Sequence, residues 1–201
     1  MKFLFSILTC FLFTVSAQAQ QINFSAYADY GLEIINSPQD LNFNQVGPII
    51  ADGSTYSLDI HEGNFTIIEI VGVKYLDIYV DVTADDNMIG NNTGDAIDFT
   101  LKAAYSNQLG DVKDPASIPL KYINVMNDAF NIRTPILERQ SQPPNPPPTP
   151  PTNATDLDPR TDYSNPLYET FYLYLYGDIT VPEGTSADSY TGNITVTVSY
   201  D

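Results

Sequence analysis

Tryptophan is absent from this chain, cysteine and histidine occur once each, and lysine and arginine together number 8 against 25 acidic residues. Each shortage removes a class of chemistry. The one cysteine, Cys10, falls in an apolar N-terminal stretch, so the chain beyond it has no disulfide, no thiol nucleophile and no cysteine-based zinc site. The one histidine, His61, stands in "LDIHEGNF", which reads as a strand end followed by a turn. No serine sits in a G-x-S-x-G elbow to partner it, and there is neither a P-loop nor a G-x-G-x-x-G. A formal charge of −17 opposes nucleic acid and anionic membrane, because both present negative charge. Glycoside hydrolysis needs two carboxylates at a defined separation, and spacing alone selects no pair among 25 acids. The missing tryptophan also removes the large apolar ring that sugar clefts commonly use. The expectation is a chain without catalytic activity.

Long hydrophobic runs are scarce as well. The longest, "FLFSILTCFLFTVS" (3–16), follows Met1-Lys2 and precedes Ala17-Gln18-Ala19. A basic start, a short apolar run and a small-x-small site form the pattern a signal peptidase accepts. Spanning a bilayer takes about 20 apolar residues, more than this run offers. Residues 1–19 are therefore expected to be removed and residues 20–201 to be exported, to the periplasm, the cell surface or the medium. The exported part would carry no transmembrane segment. Losing Lys2 takes its formal charge to −18.

What is abundant is two-residue alternation, the mark of strands with one wet face. "INFSAYADY" places Ile22, Phe24, Ala26, Ala28 and Tyr30 on one side. "KYLDIYVDV" sets Leu76, Ile78, Val80 and Val82 against Tyr75, Asp77, Tyr79 and Asp81. "AIDFTLKAAY" repeats the scheme, and "YETFYLYLYGDITV" alternates Phe171, Leu173 and Leu175 with Tyr172, Tyr174 and Tyr176. The last strand sets Ile194, Val196, Val198 and Tyr200 against Thr195, Thr197 and Ser199. Half-polar strands suit antiparallel sheets, and several of them separated by Gly, Pro, Asn and Asp predict an all-β, antiparallel β-sandwich.

One stretch breaks the alternation. "PPNPPPTPP" (Pro143 to Pro151) holds seven of the 15 prolines and has polar flanks. Proline donates no hydrogen bond and cannot join a ladder, so residues of about 140–166 are expected to form an exposed loop inserted in a single domain, 20–201. The residues beyond it supply too few strands for a sheet of their own.

Two further features suggest ligands. "TADDNMIGNNTGDAID" gathers Asp85, Asp86, Asn87, Asp95 and Asp98, hard oxygen donors of the kind calcium takes. No EF-hand spacing is present, and Asn, Asp and Gly also populate turns for their geometry alone. The chain has 14 tyrosines, and Tyr172, Tyr174 and Tyr176, with Tyr75 and Tyr79, would form aromatic ridges. Exposed, such ridges would stack on glycans or protein; tyrosine is also a good strand former in its own right. Five N-x-[ST] sequons, at Asn23, Asn64, Asn91, Asn153 and Asn193, matter only in a host that glycosylates them.

Two separated patches carry a resemblance. "AYADYGLEIINSPQDLNFNQVGPIIADGSTYSLDI" resembles the opening of exported bacterial DUF4402 proteins, related to spore coat protein U and the archaic Csu-type pilins. Asp40, Leu41, Asn42 and Phe43 match their short "dLdFG" motif, and Asn44 replaces its glycine. "SADSYTGNITVTVSYD" resembles the family's closing "G-x-Y-x-G-x-x-x-V-x-V-x-Y" through Tyr190, Gly192, Val196, Val198 and Tyr200. The resemblance implies an immunoglobulin-like sandwich in a structural or adhesive surface protein whose N-terminal strand, Ile22 to Tyr30, is donated to a neighbour. It likewise implies that Ile194 to Tyr200 is the strand a chaperone engages. The pilins' cysteines are missing here, and the N-terminal strand has the alternative of pairing within its own chain. A glycan-binding module using the tyrosines, with or without calcium, is the competing reading.

Overall fold

The computed structural model describes residues 31–36, 38–74, 76–108, 113–138 and 167–201. The Pro-rich stretch and the Ile22–Tyr30 strand lie outside the described residues, as does Tyr75. The described chain is all-β. Eleven strands run in order: β1 (Glu33–Ile34), β2 (Thr55–Ser57), β3 (Thr66–Val73), β4 (Asp77–Ala84), β5 (Asn87–Gly90), β6 (Ala96–Ser106), β7 (Lys121–Ile123), β8 (Ala129–Pro135), β9 (Tyr168–Thr180), β10 (Tyr190–Thr191) and β11 (Ile194–Tyr200). Two short 3-10 turns, Phe43–Val46 and Ile60–Glu62, accompany them. Among the described residues no helix is long and apolar enough to cross a membrane.

All pairings are antiparallel. β9 is the spine of an eight-stranded sheet ordered β1-β3-β9-β6-β5-β10, with β2 also pairing β9 and β7 pairing β6. The register sets Ile70 opposite Phe171, Ile68 opposite Leu173, and Ala103 opposite Leu175. This sheet curls into a half-barrel. A second sheet of three strands, β11-β4-β8, has β4 in its centre.

The alternation explains where the core sits. Ile78, Val80 and Val82 of β4 are fully buried and face Ile68, Ile70, Leu101, Phe171, Leu173 and Leu175 of the large sheet. Each such side chain contributes about 1.5–3 kcal/mol when taken out of water. Phe130 and Ile136 join the same cluster as Phe171, so the strands on both sides of residues 139–166 share one core. At Gly177 the β6–β9 ladder is so close that a Cβ would stand 2.4 Å from the Thr100 carbonyl oxygen. That approach is why a glycine interrupts the tyrosine-rich strand.

The outer face of the large sheet is also covered. Tyr172 and Tyr174 of β9, Ala104 of β6 and Ile60 form a second buried cluster, with Phe65, Ile67, Ile118, Leu120 and Tyr176 packed around it. Phe65 meets Tyr174 edge to face at 5.5 Å. β9 is thus buried on both sides, which its unbroken run of leucines and tyrosines allows.

Candidate functional site

The most distinctive feature for function is the border of the small sheet at β11. Asp85 N–H donates to the Asn193 carbonyl and Asp201 N–H to the Asp77 carbonyl, at the two ends of the β11–β4 pairing. In an antiparallel pair the hydrogen-bonded residues alternate. The odd-numbered residues therefore turn their main-chain groups toward β4, and Ile194, Val196, Val198 and Tyr200 turn theirs outward. Among the described residues nothing pairs with the outward groups of Ile194, Val196 and Val198. Their side chains are half-buried on the core face, while Thr195, Thr197 and Ser199 are exposed.

Beside this edge runs a groove of about 870 Å³. Ile194 and Val196 form one wall, and Ile34, Leu41, Phe43 and Thr66 the other, with Met88 and Tyr190 near the Asn193 end. Phe43 is held in place by the 3-10 turn that Asn42 caps, its side chain accepting the Asn44 N–H at 3.0 Å. Asn42 and Phe43 thus belong to the groove, as does Tyr190. The Thr66 hydroxyl is buried on the groove wall and has no hydrogen-bond partner among the described residues. An unpaired buried hydroxyl is costly, which makes this wall a place where a polar group is called for.

The far end is closed by Tyr200. Its hydroxyl accepts the Val73 N–H at 2.9 Å and donates to the Gly31 carbonyl at 2.9 Å. The penultimate residue thus ties the small sheet to the large one and pins Gly31 beside the end of β11.

The tyrosines are placed differently from a surface ridge. Tyr174 is fully buried, Tyr172 nearly so, and Tyr176 half-buried, because the Ile60 turn and residues Ile118 and Leu120 pack over them. Burial pushes the Tyr174 phenol well above its ordinary value. Tyr79 does lie on the exposed face of the small sheet, where a hydrogen bond to the Asp201 carboxylate raises its phenol. Among the described residues the most exposed tyrosine is Tyr122, whose hydroxyl lies 3.1 Å from His61 Nε2. Its short strand, β7, shows no long alternation by which to single it out.

The Asp/Asn stretch is divided among separate turns. Asp85 accepts from the Asn193 main-chain and side-chain amides at the β4–β5 turn. Asn87 and Asp98 face each other across the β5–β6 ladder, the Asp86 carbonyl accepts the Phe99 N–H, and Asp95 accepts the Ser186 N–H. Among the described residues no group of three or more acids or histidine is arranged to hold a metal ion. The key acid here is one outside the stretch: Asp188 accepts from the Asn92 and Thr93 N–H groups at 2.7 and 2.8 Å, and from both their side chains.

Those donors hold the Asp188 carboxyl far below the usual carboxylate range, with the Asn92 and Thr93 amides the main cause. Asp95 is lowered by Ser186 in the same way. A depressed folded value contributes stability above the unfolded value near pH 4, and that contribution is lost as the pH falls through the folded value. Unfolding followed from pH 7 to pH 2 should show stability declining below about pH 4. In Asp188→Asn the decline should be shallower and the pH 7 melting temperature lower; an unchanged acid profile would remove Asp188 from this role.

Comparison with family models, with curated proteins and with solved structures finds no match for this chain.

Proposed function

We propose that the chain is a non-catalytic structural or adhesive module of a bacterial surface, pilin-like or part of a surface matrix. In this reading its two sheets form an immunoglobulin-like sandwich whose β11 edge accepts an added extended strand. One observation carries the reading. The outward main-chain groups of Ile194 and Val196 lie beside a groove of mixed apolar and polar lining that holds an unpaired buried hydroxyl. Strand addition satisfies such an edge through main-chain hydrogen bonds, with alternate side chains entering the groove. Left open, an edge strand of seven residues is a template for indiscriminate pairing. The strand comes from the chain itself or from another surface subunit. The leader-like residues 1–19 support export, and the acidic composition opposes nucleic acid as a partner.

Amide hydrogen exchange of residues 20–201 tests the reading directly. If a strand is added at β11, the Val196 and Val198 amides exchange as slowly as those of Thr195 and Thr197, which face β4. If they exchange at the rate of an open edge while Thr195 and Thr197 stay protected, the strand-accepting reading is wrong.

A further inference from the structure

We propose that the strand received at β11 is the chain's own Ile22–Tyr30, lying parallel to β11. This inference rests on the strand-accepting reading above and names the occupant.

The tether at Gly31 sets the direction. The Gly31 carbonyl is held by the Tyr200 hydroxyl at the C-terminal end of β11. β1 leaves from there along β3, with Glu33 opposite Val71 and Ile34 opposite Ile70. Residues before Gly31 that return along β11 must therefore have Tyr30 near Tyr200 and Ile22 near Asn193. That is the parallel direction. An extended stretch of nine residues covers roughly 30 Å at about 3.3 Å per residue. This exceeds the length of β11, so the segment reaches the whole groove.

The order of side-chain sizes fits the same direction. The groove is lined by Ile194 and Val196 but not by Val198 or Tyr200. Toward Tyr200 the space between the sheets is already taken: Leu32 Cδ1 lies 2.9 Å from where a Cβ on Gly72 would stand. Read from Tyr30 backward, the alternating face is Ala28, Ala26, Phe24, Ile22. The parallel arrangement puts the two alanines at the tight end and the two large side chains where the groove has its volume. The antiparallel arrangement, open only to a second copy's segment, sets Ile22 and Phe24 against the tight end.

Polarity fits as well. With Ile22, Phe24, Ala26 and Ala28 inward, Asn23, Ser25, Tyr27 and Asp29 continue the exposed polar face of Thr195, Thr197 and Ser199. The added strand extends the small sheet without exposing an apolar row.

Because residues 20–201 contain no cysteine, paired cysteines report on the arrangement without background. Four double variants on the outward face decide it: Ser25→Cys with Thr195→Cys, Asp29→Cys with Ser199→Cys, and the crossed pairs 25 with 199 and 29 with 195. Cysteines bridge only when their Cα atoms lie within about 4.4–6.8 Å. On mild oxidation the direct pairs should lose both thiols in a species of monomer mass, and the crossed pairs should not. Disulfide-linked multimers, or crossed pairs that close, would overturn the inference and leave the strand-accepting reading intact, the donor then being a neighbour. No disulfide in any pair overturns it too; amide exchange at Val196 and Val198 then separates the two failures, slow exchange sparing the broader reading and fast exchange ending both.

Discussion

Replacing Phe171 by alanine is expected to destabilise the fold by about 3–5 kcal/mol, the cost of removing a large ring from a packed interior. Phe171 is fully buried on the spine strand β9. It lies opposite Ile70 in the register and stacks on Tyr105 with ring centroids 5.2 Å apart. It belongs to one buried cluster with residues from several strands of the large sheet and with Val80 and Val82 of the small one. At about 2–4 °C per kcal/mol for a domain of this size, the melting temperature should fall by roughly 6–20 °C. Thermal unfolding of residues 20–201 followed by circular dichroism measures this. A loss under 1 °C would mean that the two sheets do not share the core described.

Tyr200→Phe is expected to cost about 1–3 kcal/mol, because it leaves the Val73 N–H without its partner in a buried setting. Val73 is 1 % exposed. The ring stays, so packing against Val71, Val73 and Leu167 is retained. What disappears is the double hydrogen bond that joins the end of β11 to Val73 and Gly31. The same change loosens Gly31, so in the direct cysteine pairs the rate of disulfide closure should fall with it. Equal melting temperatures for the variant and the parent would mean that the Tyr200 hydroxyl does not hold the two sheets together.

Much of the strand content was legible. β4, β6, β9 and β11 are long, and in each the side chains on one face are apolar, so alternation marks them. β8 was not legible, although Phe130 and Thr134 are buried in it: its inward face ends on a threonine, and it carries Arg133 and ends at Pro135. β1, β2, β5, β7 and β10 have four residues or fewer, too few for a period to show.

The candidate site was legible only in part. Ile194, Val196, Val198 and Tyr200 were marked by their alternation, and Tyr190 and Gly192 by resemblance. Thr66 was not, because an isolated threonine becomes informative only when its hydroxyl is buried without a partner. Asp188 was missed for a similar reason: it is 96 residues from Asn92 and lies outside the Asp/Asn-rich stretch whose turn it holds.

By itself the sequence determined the all-β class, the inward faces of the long strands and the excess of negative charge, because these depend on residue type and two-residue period alone. Only the tertiary structure decided that Tyr172 and Tyr174 are interior. Alternation shows that a strand has two faces, but the cover on the second comes from Ile60, Ile118 and Leu120, far away in the chain. Tertiary structure alone also made β11 the border of its sheet among the described residues. Which strand lacks a second neighbour is a property of the order of strands, and that order is set by long-range pairing that no local pattern records.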